Sequence, residues 1–272
     1  MSGGTDERNC RTHMRGLLMK HIAFCSFGKD SLAQIIKIKE LGLPLDEVVC
    51  CRIWFDENIP GEHPVQAEFI EKATTTLKEK YGIDVVFIRS DKTFKEYFYT
   101  KKQRGKHVGD YYGFPYIIGA WCVSRLKQEV IRKYLAKFKG EQVIQYVGIA
   151  YDEQLRIKDR QNTRYILNEL KLTEADCFEI CEKHGLLSPK YEKGFRDGCW
   201  FCPKQNMASL YDLWKDYPQL FSELEQMQPY SHNTFKPNQS ITQIKNRFES
   251  GHIPKRKVWG KQTTQKEQND NE

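Results

Sequence analysis

The chain has 272 residues, 39% hydrophobic and 29% charged, with a formal net charge of +7. That length can bury a substantial core as one large domain or one domain with an appendage, and no apolar run is long enough to span a membrane. The basic surplus, concentrated in KKQRGKH (101–107) and IKNRFESGHIPKRKVWGK near the C-terminus, fits either a nucleic-acid surface or two solvated segments.

Residues 1–19 mix both charge signs around too short an apolar stretch for a signal peptide, and are expected to be a flexible extension of a cytoplasmic protein. Met14 and Met19 are alternative starts, because the first strand pattern begins near Lys20. HIAFCSF (21–27) reads as a buried strand and SLAQIIKIKELG as a helix closed by Gly42 and Pro44. VVCCRIWFD (48–56) is a second strand, and HPVQAEFIEKATTTLKEKYG a helix stopped by Gly82. DVVFIRS (84–90), a helix over 121–140 and QVIQYVGIA (142–150) continue the alternation. Nearly all-apolar strand runs separated by helix-length connections predict an α/β fold, a parallel sheet flanked by helices.

After about residue 160 the pattern changes. LTEADCFEICEKHG predicts a helix with Thr173 as N-cap and Gly185 at its end. A cysteine-bearing loop follows, LLSPKYEKGFRDGCWFCPKQ, and then two helices broken at Pro218. The expected organisation is an extension (1–19), a nucleotide-binding α/β domain (20–160), a helical cysteine-containing cap (161–230) and a basic, partly disordered tail (231–272).

Between the first strand and helix lies SFGKDS (26–31). A strand–turn–helix junction offers backbone N–H groups and a positive helix end to an anion. Gly28 is expected to permit the tight turn, Ser26 and Ser31 to donate to phosphate oxygens, and Lys29 to add a compact positive charge. Neither a Walker A loop nor a GxGxxG pattern is present.

SFGKDS resembles the PP-loop of the adenine-nucleotide alpha-hydrolase superfamily, whose members bind the pyrophosphate part of ATP and cleave between its alpha and beta phosphates. FDENIPGEHPVQAEFIEK, YGFPYIIGAWCVSRLK, GIAYDEQLR and GCWFCPKQ resemble further segments of the phosphoadenosine phosphosulfate reductase-like family within it. Together they cover about residues 20 to 225. The resemblance implies a Rossmann-like PP-loop fold in which Ser26, Phe27, Gly28, Lys29, Asp30, Ser31, Asp56, Gly148, Glu153 and Arg156 contact the nucleotide. It makes Lys29 and Asp30 catalytic and puts Arg125 and Lys127 at the substrate. Glu57 and Asn58 stand where relatives carry Thr-Gly after the aspartate matched by Asp56, and Val123 replaces a threonine.

Cys199 and Cys202 form a CxxC, which is half of a four-ligand metal site. The resemblance adds Cys122 and, from the pair Cys177 and Cys181 on one predicted helix, Cys181. These four thiolates would suit a 4Fe-4S cluster or zinc. Cys25, Cys50 and Cys51 read as strand packing.

Three functions follow from the resemblance. The first is an ATP pyrophosphatase that adenylates an acceptor, a nucleic acid above all, with Mg2+ on the pyrophosphate and sulfur insertion as an option; a cysteine desulfurase or thioredoxin would supply sulfur or electrons. The second is a sulfonucleotide reductase, against which stand Lys29, Asp30 and the lack of any cysteine after Cys202. The third is a non-catalytic nucleotide-binding subunit of a modification or defence complex. The cysteine segment is of a kind common in phages and mobile elements, and the oligomeric state stays open.

Overall fold

The computed structural model describes residues 19–191 and 198–255. The expected N-terminal extension apart from Met19, part of the cysteine loop and the polar end of the chain lie outside those residues.

The chain begins with β1 (Met19–Phe24), α1 (Lys29–Glu40), β2 (Glu47–Arg52), α2 (Pro64–Tyr81) and β3 (Val85–Arg89). Gly82 ends α2 in the left-handed conformation, with φ +65°, which a residue without Cβ adopts at little cost. A short α3 (Phe94–Phe98) follows, held by a reciprocal cap between Thr93 and Glu96. The helix expected over 121–140 is built from pieces: α4 (Trp121–Val123), a π-helical turn (Ser124–Gln128), α5 (Glu129–Leu135) and a 3-10 turn (Ala136–Phe138).

β4 (Gln142–Val147), β5 (Thr163–Arg164) and α6 (Ile166–Glu169) come next. α7 (Glu174–Lys183) starts at the expected Thr173 cap, which exchanges hydrogen bonds with Asp176. α8 (Met207–Asp216) and α9 (Pro218–Met227) divide at Pro218 as expected. α10 (Ile241–Glu249) is a capped amphipathic helix inside the segment expected to be a partly disordered tail. Its Ile241, Ile244 and Phe248 are buried, and their spacing of three and four residues is the helical signal that the flanking basic residues obscure.

The five strands form one parallel sheet in the order β3-β2-β1-β4-β5. β1, β2 and β4 are shorter than the apolar runs that predict them. The surplus residues are apolar because they pack elsewhere: Phe55 joins an aromatic cluster, and Ile149 and Ala150 are buried beyond the strand end. β5 has two residues and no apolar run, so only its pairing with Gln145 and Tyr146 reveals it.

Strand residues alternate between two faces. Ala23, Cys25, Val48 and Cys50 pack with α1, α2, α6 and α7, whereas Ile22 and Val49 pack with Tyr134 of α5. The sheet is therefore covered on both faces. A separate, largely aromatic core holds the cysteine-bearing region, with Phe55, Phe94, Phe98, Phe114, Trp200 and Phe201 among its members. No helix of the described residues is long and apolar enough to cross a membrane.

Candidate nucleotide site and a separate thiol site

β1 lies between β2 and β4, so the chain runs to one side of β1 and then crosses to the other. In open parallel sheets, such a reversal leaves a crevice at the carboxyl ends of the two strands, where ligands bind. The SFGKDS turn follows β1, and Gly148 follows β4. These two segments touch. A Cβ on Gly148 would lie 2.9 Å from the Asp30 carbonyl oxygen and 3.0 Å from Ser31 Cα, so glycine is required for β4 to end this close to α1.

Inside the turn the left-handed residue is Phe27, with φ +57°, and not Gly28, which is extended at φ −83°. Such a φ is uncommon for a residue with a Cβ, and packing holds it in place. The Phe27 ring is fully buried and stacks on Phe87 at 6.1 Å, while its carbonyl accepts from Gln66 Nε2 at 3.2 Å. Gln66 in turn accepts from Ser188 Oγ at 2.6 Å. The loop before the CxxC therefore braces the turn through one glutamine.

Ser31 Oγ donates to the Gly28 carbonyl at 2.9 Å and accepts from the Ser26 backbone N–H at 3.2 Å. Ser31 thus buckles the turn from inside. Gly28 gives α1 no side-chain cap, leaving a helix N-terminus of the kind that receives anions. The Lys29 backbone N–H is already committed to Tyr191 Oη at 3.0 Å.

Lys29 is only 3% exposed, and its ammonium meets Asp30 Oδ1 at 2.6 Å and Glu174 Oε1 at 2.9 Å. Burial pulls its pKa down, but the two carboxylates outweigh burial and leave it raised. The Asp30 pKa is also raised: burial comes first, Lys29 opposes it, and Glu174 and Glu153 add to it. Asp30, Glu153 and Glu174 offer three carboxylate oxygens within 4.8 Å of one another. Arg156 pairs with Glu153. Two cations thus face three carboxylates, so a bare triphosphate would meet one excess negative charge. Hard oxygen donors grouped in this way suit Mg2+, which would reverse that balance on entering with the nucleotide.

Glu174 has no counterpart in the sequence expectations. It is the first residue of α7, where an acid reads as an ordinary helix-start residue, and nothing in the sequence links it to a lysine 145 positions away. Asp56 lies beyond β2, where its Oδ1 accepts from the backbone N–H groups of Asn58 at 2.9 Å and Ile59 at 2.8 Å. That oxygen closes its own loop.

The four expected metal ligands divide. Cys181 is fully buried in the core under the turn, and its thiol donates to the Lys29 carbonyl at 3.1 Å. Burial first, and Asp30 second, push its pKa up to about 12. Cys122, Cys199 and Cys202 are half-buried beside the aromatic core and are electrostatic neighbours of one another. Burial raises Cys199, while Lys127 lowers it; burial and Cys202 push Cys122 up to about 11. Cys122, Cys199 and Cys202 thus lie in one region of the fold, and Cys181 lies beneath the turn.

Among the described residues, no three thiols lie within 4.8 Å of one another. Soft thiol donors of this kind suit either zinc or an iron–sulfur cluster. The two expected substrate residues also separate: Arg125 is exposed and pairs with Glu129 at 2.7 Å, whereas Lys127 is half-buried toward Cys50, Cys51, Cys122 and Cys199.

Fold and site together define an open parallel α/β protein of Rossmann-like, PP-loop-like layout with a cysteine-bearing helical region. No protein-family model matches the chain. The uncharacterised protein MJ0066 of Methanocaldococcus jannaschii is 27% identical over 216 residues, which cover 75% of this chain and 40% of that protein. The chain therefore spans well under half the length of that relative. Among solved structures, the U34-tRNA thiolase NcsA of Methanococcus maripaludis with its 4Fe-4S cluster matches at 17% identity over 88% of this chain and 74% of its own, with a TM-score of 0.37.

Proposed function

We propose that the protein is an ATP-dependent enzyme that cleaves ATP between the alpha and beta phosphates at the Ser26–Ser31 turn and passes the adenylyl group to an acceptor, a nucleic acid. The observation that carries this reading is the meeting of the turn, the uncapped start of α1 and Gly148 where the strand order reverses. The three carboxylates beside Lys29 support it, because they favour a metal-bound triphosphate over a bare anion.

In this reading the N-terminal N–H groups of α1 bind the phosphates, and Asp30, Glu153 and Glu174 would hold Mg2+, which would offset the phosphate charge. Lys29, held between Asp30 and Glu174, sets a cation beside the bridging oxygen that leaves. An acceptor oxygen attacks the alpha phosphorus, the bond from that phosphorus to the alpha–beta bridging oxygen breaks, and the electron pair departs with pyrophosphate. The acceptor proton passes to solvent, and an adenylylated acceptor remains. Cys122, Cys199 and Cys202 would hold an iron–sulfur cluster, which when bound supplies sulfur or redox chemistry to the activated acceptor. Lys127 faces that site and offsets the charge of its thiolates.

Pyrophosphate release from ATP in the presence of nucleic acid tests the reading. Lys29→Ala and Asp30→Asn should each slow it by roughly a hundredfold, the scale of losing one preorganised electrostatic contact. Unchanged release in both variants rejects it.

A further inference from the structure

Beyond the turn, a second cleft opens at the carboxyl end of β3, with a volume of about 390 Å³. It lies on the same edge of the sheet as the nucleotide turn. β3 is two strands from β1, so the lateral offset is roughly 10 Å at about 4.8 Å per strand.

One wall is the helical segment that carries Arg125, Glu129, Lys133 and Lys137, and the other carries Arg89, Asp91 and Lys92. All four side chains line the cleft although Arg125 stands in the π-helical turn and Lys137 in the 3-10 turn. Five cations and two carboxylates line the cleft. Both carboxylates are matched within it, Asp91 by Lys133 at 3.2 Å and Glu129 by Arg125 at 2.7 Å. Arg89 reaches Glu57 at 3.5 Å, outside the lining, and lies over the Trp54 ring at 5.1 Å.

Lys92 and Lys137 differ from the rest. Among the described residues, neither has a carboxylate at ion-pair distance, and Glu96 is a neighbour of Lys92 from farther off; Lys92 lies over Tyr97 at 5.6 Å and Lys137 over Tyr134 at 4.9 Å. A ring face orients an ammonium without neutralising it, so both keep their charge for a ligand. The cleft carries three net positive charges.

The cation-bearing face from Arg125 to Lys137 is about 18 Å long at about 1.5 Å per residue. That exceeds one mononucleotide and matches several nucleotides stacked at about 3.4 Å each.

We infer that this cleft binds the phosphodiester backbone of a single-stranded nucleic acid, through Lys92, Lys137 and Arg89, and leads that strand toward the turn after β1. The choice of ligand rests on the proposed adenylation of a nucleic-acid acceptor; the cleft supplies the track that holds it.

The test is fluorescence anisotropy of a labelled single-stranded RNA with the full chain and its Lys92→Ala/Lys137→Ala variant, across a salt series. Both lysines are exposed, so the variant should fold, and its thermal melt should match the parent. RNA affinity should drop about tenfold, and the slope of log affinity against log salt should shrink by about 1.4, or two phosphate contacts at about 0.7 each. ATP binding, measured in parallel, should stay intact. A comparison variant removes Lys101, Lys102, Arg104 and Lys106 from the basic loop outside the cleft.

Unchanged RNA affinity in Lys92→Ala/Lys137→Ala, loss confined to the loop variant, or no RNA binding by the parent overturns the inference. So does a loss of ATP affinity with RNA binding retained, because the cleft would then serve a free nucleotide. Absence of RNA binding by the parent would also count against a nucleic-acid acceptor, whereas the variant outcomes bear on the cleft alone, so the two readings fail separately.

Discussion

The thiols beneath the turn and the thiols of the CxxC region sit in different cores with different ionic neighbours. Cys177 and Cys181 are buried on α7, and after burial itself the Asp30 carboxylate does most to keep them protonated. Cys199 is held up by burial too, but its main electrostatic neighbour is the Lys127 ammonium, which pulls the other way. On the far side of Cys202, Lys236 donates to the carbonyls of Pro203 at 2.9 Å and Gln205 at 2.5 Å, with burial lowering its pKa and Cys202 raising it. A metal ligand must be a thiolate. Burial dominates at both places and raises Cys199 no less than Cys181, and Lys29 lowers the first pair as Lys127 lowers Cys199, so position in the fold and not local charge distinguishes the two groups.

Alkylation can break this contrast most sharply. In metal-free protein treated with iodoacetamide at mildly alkaline pH, the half-buried Cys122 and Cys202 should react at least about a hundredfold faster than Cys181, which modifies only when the core opens. Peptide mapping by mass spectrometry gives the rates. Equal rates would mean that Cys181 shares the environment of the other thiols.

A smaller effect sharpens the charged side of the comparison. Lys29→Met leaves Asp30, Glu153 and Glu174 without their buried cation and should cost about 2 kcal/mol, less than a fully buried pair because Glu174 is partly exposed. The folded-state pKa of Lys29 is raised. Its contribution is therefore complete below the usual lysine value of 10.5 and fades as pH rises through the raised value. Thermal melts of parent and variant should differ by a constant amount around neutral pH, converge in strong alkali, and converge in acid as Asp30, whose pKa is raised, and Glu174 take up protons. Equal melts at neutral pH would contradict the assignment.

The sheet was legible because its β-branched and apolar runs fall at regular intervals, and the turn because six residues occupy the right junction. Thr173, Gly82 and Pro218 mark helix ends in sequence by local chemistry, and the structure uses all three. β5 was hidden because two residues carry no pattern, and α10 because charged neighbours masked its buried face. The conformation of the turn was misassigned for a physical reason: glycine is the default for positive φ, yet Phe27 takes it because a buried ring holds it there. Glu174 and the separation of Cys181 from Cys122 depend on tertiary contacts between distant segments. Four-residue spacing on one helix could not tell a core thiol from a ligand.

Metal content tests the account most directly. The parent, Cys181→Ser and Cys199→Ser proteins should be purified anaerobically and assayed for iron, acid-labile sulfide and zinc. Iron and sulfide are expected in the parent, with retention of both in Cys181→Ser and their loss in Cys199→Ser with the fold intact. Loss in Cys181→Ser to the same extent as in Cys199→Ser, or zinc in place of iron and sulfide, would contradict the account.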